Sequence, residues 1–427
     1  MKLETGNQKL ENKPAGYQLL ISTFCFLLSM LLVAFPRAGP GQGSEEEGLI
    51  PTNFKAPEFP NPADNLASSE PISPPSPGRN LPDVSQLGSP SPDVTVVASL
   101  WINSPPLRMG QLRGKVVLID FWEYTCINCI RTFEQNKKWY ERYHKYGFEI
   151  IGVHDPEFDI AYHAANVRAA VKRFSLPYPV FVDPDFQLWN SYHNDSWPSR
   201  FLVDSKGIVR FHRDGEGADP AFEHSIQRFL LEAHPGLKFP PDYTIAPEPD
   251  FSAPSCGIPT PEMYVGDWSG RGILSNLEGY HDGKTIRYKL PANINDGQAA
   301  VSGAWETDKN GMIYRGKDGG AHTAPDRLVM RYHARELYAV INVSHGHPSA
   351  LYVQQDGKDL TAAEKGVDVR FDAQGRSYIE VREPRMYYLV QNPAFGAHTV
   401  TLTPTKPGLT INSFTFGNDC QTQFPHL

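Results

Sequence analysis

The stretch Phe121-Trp122-Glu123-Tyr124-Thr125-Cys126-Ile127-Asn128-Cys129 decides how this chain is read. An apolar β-type run, Val116-Val117-Leu118-Ile119-Asp120-Phe121, leads into it, and a segment of helical periodicity over 126–146 leads out. Two cysteines three apart at that junction place both sulfurs on one face of a helix N-terminus. Backbone N–H groups and the helix dipole favour a thiolate there, which predicts a Cys126 pKa lowered from ~8.5 toward ~7. Cys126 is the expected attacking thiol. Cys129, one turn further in and more buried, is expected to resolve the mixed disulfide with a partner. Asp120 lies within the apolar strand, where a carboxylate is costly to bury without a purpose. Either it takes the proton from Cys129 as that thiol attacks, or it is an edge-strand acid turned to solvent.

Outward from this junction the pattern alternates between β and α signals. Strands are predicted at 116–121, 148–154, 179–183, 200–204 and 208–213, and helices at 126–146, 160–174 and 220–233. The turn Ser205-Lys206-Gly207 joins the last two strands as a hairpin. This order predicts an α/β domain over 95–236 with a mostly parallel central sheet and an antiparallel edge. A Pro-rich junction at 237–259 follows. Beyond it, over 260–427, ten short alternating segments separated by Gly, Asn and Asp turns predict an all-β antiparallel sandwich, jelly-roll-like in outline. The strand ranges expected there include 299–306, 327–332, 336–343, 385–391, 399–403 and 409–417.

Ahead of both domains, Lys2, Lys9 and Lys13 precede an apolar run at 19–35, at the lower edge of what spans a bilayer. The lysines before it and Glu45-Glu46-Glu47 after it predict residues 1–18 inside and the bulk of the chain outside. Pro36-Arg37-Ala38 is a poor cleavage site, so a single uncleaved transmembrane anchor is expected over a cleaved signal. Thr23-Phe24-Cys25 lacks the small residue that lipidation of Cys25 needs. Residues 36–94 are rich in Pro, Ser, Gly, Asn and Asp and read as a disordered tether. The chain is accordingly expected to be membrane-anchored with its chemistry on the extracytoplasmic, periplasmic or cell-surface side, where disulfides persist. A net charge of -8 without any Lys/Arg block argues against nucleic acid as a partner. Five cysteines in 427 residues are too few for a disulfide scaffold, so apolar packing must carry the cores.

Ser196-Trp197-Pro198-Ser199 stands just ahead of a predicted strand. A cis peptide at Pro198 is expected to set the Trp197–Pro198 backbone beside the sulfurs, offering strand-like hydrogen bonds to an incoming chain. Trp122 and Tyr124 are expected to flank the sulfurs as an apolar contact surface, core packing being the alternative for Trp122. His154, Glu157 and His163, at or after a strand end, are candidates to shape a partner groove or assist proton transfer, or are plain loop residues.

Trp101-Ile102-Asn103-Ser104, residues 112–122, Tyr124-Thr125-Cys126-Ile127-Asn128-Cys129, Ile151-Gly152-Val153-His154-Asp155-Pro156-Glu157-Phe158 and Trp197-Pro198 together resemble a thioredoxin-fold domain. Specifically, they resemble the TlpA-like, DipZ-type group associated with cytochrome c biogenesis and extracytoplasmic thiol reduction. The resemblance implies nucleophile and resolving cysteine at Cys126 and Cys129, the cis-proline at Pro198 and the buried acid at Asp120. It also implies protein thiol or disulfide substrates. DipZ-type proteins carry a multi-helix membrane domain that feeds electrons across, whereas this chain has one apolar run; a separate membrane electron donor is therefore expected.

Rival chemistries fit less well. A c-type haem site needs Cys-x-x-Cys-His, and Ile130 takes the histidine's place. Structural zinc needs four ligands, and no second close cysteine pair exists. His345-Gly346-His347 reads as a solvated turn. A peroxiredoxin-like Pro-x-x-x-Thr-x-x-Cys would need Pro and Thr at Ile119 and Glu123. No cofactor and no metal are expected.

Thr260-Pro261-Glu262-Met263-Tyr264-Val265-Gly266 and Phe414-Thr415-Phe416-Gly417 resemble, more loosely, the carbohydrate-binding-module-like sandwich of DipZ-type proteins. Trp268, Tyr280, Trp305 and Tyr314 are the candidates to stack on a sugar, core packing or recognition of a protein being the alternatives. Cys256 precedes the first strand and Cys420 follows the last. An oxidising compartment would pair them in a structural disulfide; two unrelated buried thiols is the other possibility. A binding or scaffolding protein dominated by its sandwich remains the alternative to an enzyme.

Overall fold

The computed structural model describes residues 89–93, 100–243, 256–266, 273–317, 326–343 and 348–420. The expected anchor at 19–35, Cys25, most of the tether, Trp268 and the His345-Gly346-His347 turn lie outside the described residues. Among the described residues no helix is long and apolar enough to cross a membrane.

Six strands build the first sheet: β1 (Trp101–Ile102), β2 (Val116–Trp122), β3 (Phe148–His154), β4 (Val180–Val182), β5 (Ser199–Val203) and β6 (Val209–Asp214). Their spatial order is β1-β4-β3-β2-β5-β6. Only β4, β3 and β2 run parallel; β1, β5 and β6 add antiparallel. The unbroken apolar run of β2 suits its central place, for every residue in it is buried. Helices α1 (Ile127–Tyr143), α2 (Ala164–Arg173), α3 (Gln187–Ser191) and α4 (Asp219–Ala233) cover the faces. Val116, Leu118 and Trp122 pack with α1, α2 and α4, while Val117, Ile119 and Phe121 pack with Leu188 and Trp189 of α3. β1 and α3 escape a periodicity reading because they are so short. The helix expected from 160 begins later: a 3₁₀ turn, Asp159–Tyr162, comes first and α2 follows.

The second domain contains β7 (Met263–Tyr264), β8 (Thr285–Tyr288), β9 (Ala299–Thr307), β10 (Met312–Tyr314) and β11 (Arg327–Val343). It continues with β12 (Ser349–Gln355), β13 (Lys358–Asp359), β14 (Arg370–Phe371), β15 (Ser377–Val381), β16 (Arg385–Pro404) and β17 (Leu409–Gly417). All pair antiparallel in one hydrogen-bonded network around a single core that includes Trp305, Leu328, Leu351, Ile379, Leu402 and Phe414. Two pairs of expected strands are in fact single long ones: 327–332 and 336–343 merge into β11, and 385–391 and 399–403 into β16. Register shifts at Ala334/Glu336 and Leu337/Tyr338 bend β11, so that it pairs first with β9 and then with β17 while β16 follows it throughout. Cys256 and Cys420 form a disulfide that ties the start of this domain to its end.

The alternation in β11 stops at Leu337-Tyr338-Ala339-Val340-Ile341, where both faces are buried. Leu337, Ala339 and Ile341 face the sandwich core, and Tyr338 and Val340 join the core of the first domain. In β16, Met386 and Tyr388 join the first domain in the same way, with Tyr387 and Leu389 turned inward. The two domains are parts of one compact unit, and side chains of the second complete the core of the first.

Candidate active site

The β2–α1 junction is set by a buried carboxylate. Glu123 accepts hydrogen bonds from the Thr125 backbone N–H and from the Thr125 hydroxyl, which curls the chain into the helix start. Cys126 is the N-cap of α1, and its sulfur accepts the Cys129 N–H at 3.3 Å. Both cysteines are free thiols, Cys126 partly exposed and Cys129 buried. Antiparallel pairing of Phe121 with Ser199 brings the end of β5 alongside this turn. The Trp197–Pro198 peptide is cis, and the Trp197 carbonyl lies 3.9 Å from the Cys126 sulfur.

Asp120 is fully buried on the central strand, so the solvent-facing alternative does not apply. Asn136 donates to one of its oxygens at 2.9 Å, and the Arg200 cation acts on it from the paired strand. Burial outweighs both and pushes the Asp120 pKa up to about 7. The Cys129 thiol is driven well above its ordinary value by burial first, then by its contact with Cys126, with the Asp120 charge adding to the effect.

The expected acidity of Cys126 is corrected by the structure. Burial raises its pKa above the ordinary thiol value, outweighing the hydrogen bonds from Cys129, and the carboxylates of Glu157 and Glu262 raise it further. Burial is the largest cause, and the second domain adds one of the two charges. Glu262 belongs to it, and Tyr264 of β7 donates its hydroxyl to Glu157 and packs its ring on Phe158 at 6.0 Å. The Cys129 N–H still points at the sulfur, but burial and the two carboxylates outweigh it.

Trp122 and Tyr124 are core side chains and not a contact surface. Trp122 is wedged edge-on between Phe133 and His154 at 5.2 and 5.0 Å, and Tyr124 stacks on His154 at 5.6 Å. A Cβ at Gly152 would come within 2.9 Å of the Trp122 ring nitrogen, so only glycine fits the strand beside the indole. His154 is buried with Nε2 3.7 Å from the Glu123 carboxylate, whereas His163 is an exposed residue at the start of α2. Trp197 is half-buried and packs on Trp189 at 4.5 Å. In the second domain Trp305 and Tyr314 are buried against each other, ring centroids 5.3 Å apart, and cannot form a sugar platform; Tyr280 is half-buried.

Three residues near the site carry more than the sequence reading gave them: Glu123, Arg131 and Glu336. Arg131 follows Cys129 by two positions on α1, where an arginine among helix residues that must face a core is itself a signal of a buried partner. Glu336 interrupts the apolar register of β11 in the same manner.

A Cys-x-x-Cys at the mouth of the first long helix, facing a cis-proline across a thioredoxin-like sheet, defines a thiol–disulfide exchange protein of thioredoxin fold. Residues 87–212 match the AhpC/TSA family, and residues 260–417 match the thioredoxin-like C-terminal domain family. The chain is similar to protein DipZ of Mycobacterium tuberculosis, with 31% identity over 331 residues, 77% of this chain and 43% of that protein. It is also similar to the thiol–disulfide oxidoreductase ResA of Geobacillus kaustophilus, with 30% identity over 124 residues, 29% of this chain and 67% of that protein. Among solved structures, a thiol–disulfide isomerase from Corynebacterium glutamicum matches with TM-score 0.30 and 23% identity, over 33% of this chain and 96% of that one. The chain thus spans less than half the length of the DipZ proteins it matches. It belongs to the thioredoxin-like thiol–disulfide oxidoreductase family.

Proposed function

We propose that this protein is a membrane-tethered, extracytoplasmic oxidoreductase that reduces disulfides in protein substrates. The Cys126 thiolate attacks one sulfur of the substrate disulfide, and the other substrate sulfur leaves as a thiolate. Cys129 then passes its proton to Asp120 and attacks the Cys126 sulfur. The second substrate thiolate departs, two electrons have moved to the substrate, and a Cys126–Cys129 disulfide remains. A separate membrane protein, presenting a dithiol, returns the two electrons. Residues 19–35 supply the anchor and 36–94 the tether, and the Cys256–Cys420 disulfide supports an oxidising compartment.

The single observation that carries this reading is the Cys126 sulfur held between the Cys129 N–H and the Trp197 carbonyl, with Asp120 buried behind it. Insulin reduction by the full chain with dithiothreitol tests it. Cys126→Ser is expected to abolish catalysis and Cys129→Ser to accumulate a mixed disulfide. Rates unchanged by both substitutions would instead favour a binding or scaffolding protein. Hydrogen peroxide in place of insulin separates the peroxidase alternative that the AhpC/TSA match raises.

A further inference from the structure

Arg131 projects from α1 with a side chain only 1% exposed, and a buried guanidinium persists only when its charge is met. It donates to Asn128 Oδ1 at 3.1 Å and to Glu216 Oε1 at 3.2 Å. Asn128 is one of the two residues between the cysteines and lies three positions before Arg131 on α1, so Arg131 holds the first turn of the redox helix. Its other partner comes from the second domain: Glu336 Oε2 lies 3.5 Å from Arg131 Nη2, with Glu336 fully buried. Glu336 sits at the bend of β11 and is itself held by two tyrosines, accepting from Tyr338 at 2.7 Å and from Tyr388 at 2.8 Å. A carboxylate from one domain thus meets the arginine that holds the first turn of α1 in the other. An apolar pair would fill the same space at lower desolvation cost.

We propose that Glu336 is a positioning residue of the redox centre, through which the sandwich sets the dithiol–disulfide balance of Cys126 and Cys129. The proposal rests on the thiol–disulfide reading of that pair. The sign follows from charge. A cation near the helix mouth favours the thiolate and hence the dithiol form, and Glu336 offsets that cation. Removing the carboxylate leaves Arg131 less compensated and shifts the balance toward the dithiol.

The test equilibrates the full chain with glutathione, protein disulfide plus two glutathione giving protein dithiol plus glutathione disulfide, and counts free Cys126 and Cys129 after alkylation. Glu336→Gln is expected to raise the exchange constant on the order of threefold to tenfold. Tyr388→Phe, which keeps the charge but loosens its hold, is expected to move it less and in the same direction. Should Glu336→Gln not fold, the double variant Arg131→Met/Glu336→Met removes the cation with its carboxylate, leaves Glu216 unpaired and is expected to lower the constant. Folded variants with exchange constants within twofold of the parent would overturn the proposal. The measurement needs no protein substrate, so it stands apart from insulin turnover. A parent chain that forms no Cys126–Cys129 disulfide at any glutathione ratio would sink the functional reading and this proposal with it.

Discussion

Asn136 donates its side-chain amide to the Asp120 carboxyl at 2.9 Å, while the other Asp120 oxygen, equally buried, has no hydrogen-bond partner among the described residues. A carboxyl so placed, with a pKa pushed up to about 7, exchanges its proton in the range where the cycle must run. Asp120→Asn is therefore expected to slow the resolving step on the order of a hundredfold and to leave the first attack by Cys126 little changed. Single-turnover reduction of a disulfide peptide, with the mixed disulfide quenched in acid, separates the two steps. An unchanged resolution rate would remove Asp120 from the mechanism.

The same carboxyl makes stability depend on pH. Burial raises the folded pKa of Asp120, and it raises that of Asp155 as well, with Asp183 beside Asp155 adding to it. Each group binds its proton more tightly folded than unfolded, so the unfolded chain holds fewer protons once the pH passes about 4. Stability from Asp120 is full below that point and falls as pH rises through about 7. Urea unfolding at pH 5 and pH 8 is expected to show the loss, and Asp120→Asn to flatten the slope while slowing catalysis. A slope unaltered by Asp120→Asn would contradict this account.

Glu157 and Glu262 both raise the Cys126 pKa, one from each domain. Glu157→Gln and Glu262→Gln are each expected to lower it, increasing the thiolate fraction and the rate of alkylation by iodoacetamide at neutral pH. Glutamine still accepts from Tyr264, so the contact between the domains is retained. The rates of parent and variants should converge at alkaline pH, where all are ionised. Variants slower than the parent at pH 7 would refute the electrostatic origin of the shift.

The Cys256–Cys420 bridge spans 164 positions and restrains the unfolded chain accordingly. Replacing both cysteines by serine is expected to cost up to about 5 kcal/mol in unfolding free energy, less if the unfolded state retains structure. The alkylation pattern of Cys126 should be unaffected. Denaturant titration of the double variant reads the loss directly.

Met386 lies in the second domain but packs in the core of the first. Met386→Ala is expected to cost about 2–5 kcal/mol. The two domains should then melt together in one calorimetric transition, in parent and variant alike. Two separated transitions in the parent would mean that the shared core contributes little.

The first domain was largely legible in the sequence because its signals are strong and local. The β2 run is continuous, the cysteines cap a helix, and the position before β5 carries a proline. The failures have a common cause in the second domain, which a reading of each segment by itself cannot sense. Leu337–Ile341 and Met386–Val390 lack alternation because both their faces are covered, and that continuity was the available sign of a neighbour. The Cys126 pKa is likewise only partly local: the helix end is read in the sequence around it, whereas its burial is a property of the fold and Glu262 acts from more than a hundred residues away. Trp305 and Tyr314 were offered as a platform because an aromatic on a strand does not declare which face it occupies.

Tyr338, Val340, Met386 and Tyr388 give this chain a shared seam with an apolar part, crossed by the Arg131–Glu336 ion pair, unlike the separable joint of a tethered accessory module. Transplanting residues 100–243 alone onto another carrier would strip that seam bare and leave Arg131 facing water where Glu336 had been. An engineer borrowing this redox activity must therefore move both halves together, or redesign the exposed flank with polar side chains and accept whatever potential the altered surroundings impose.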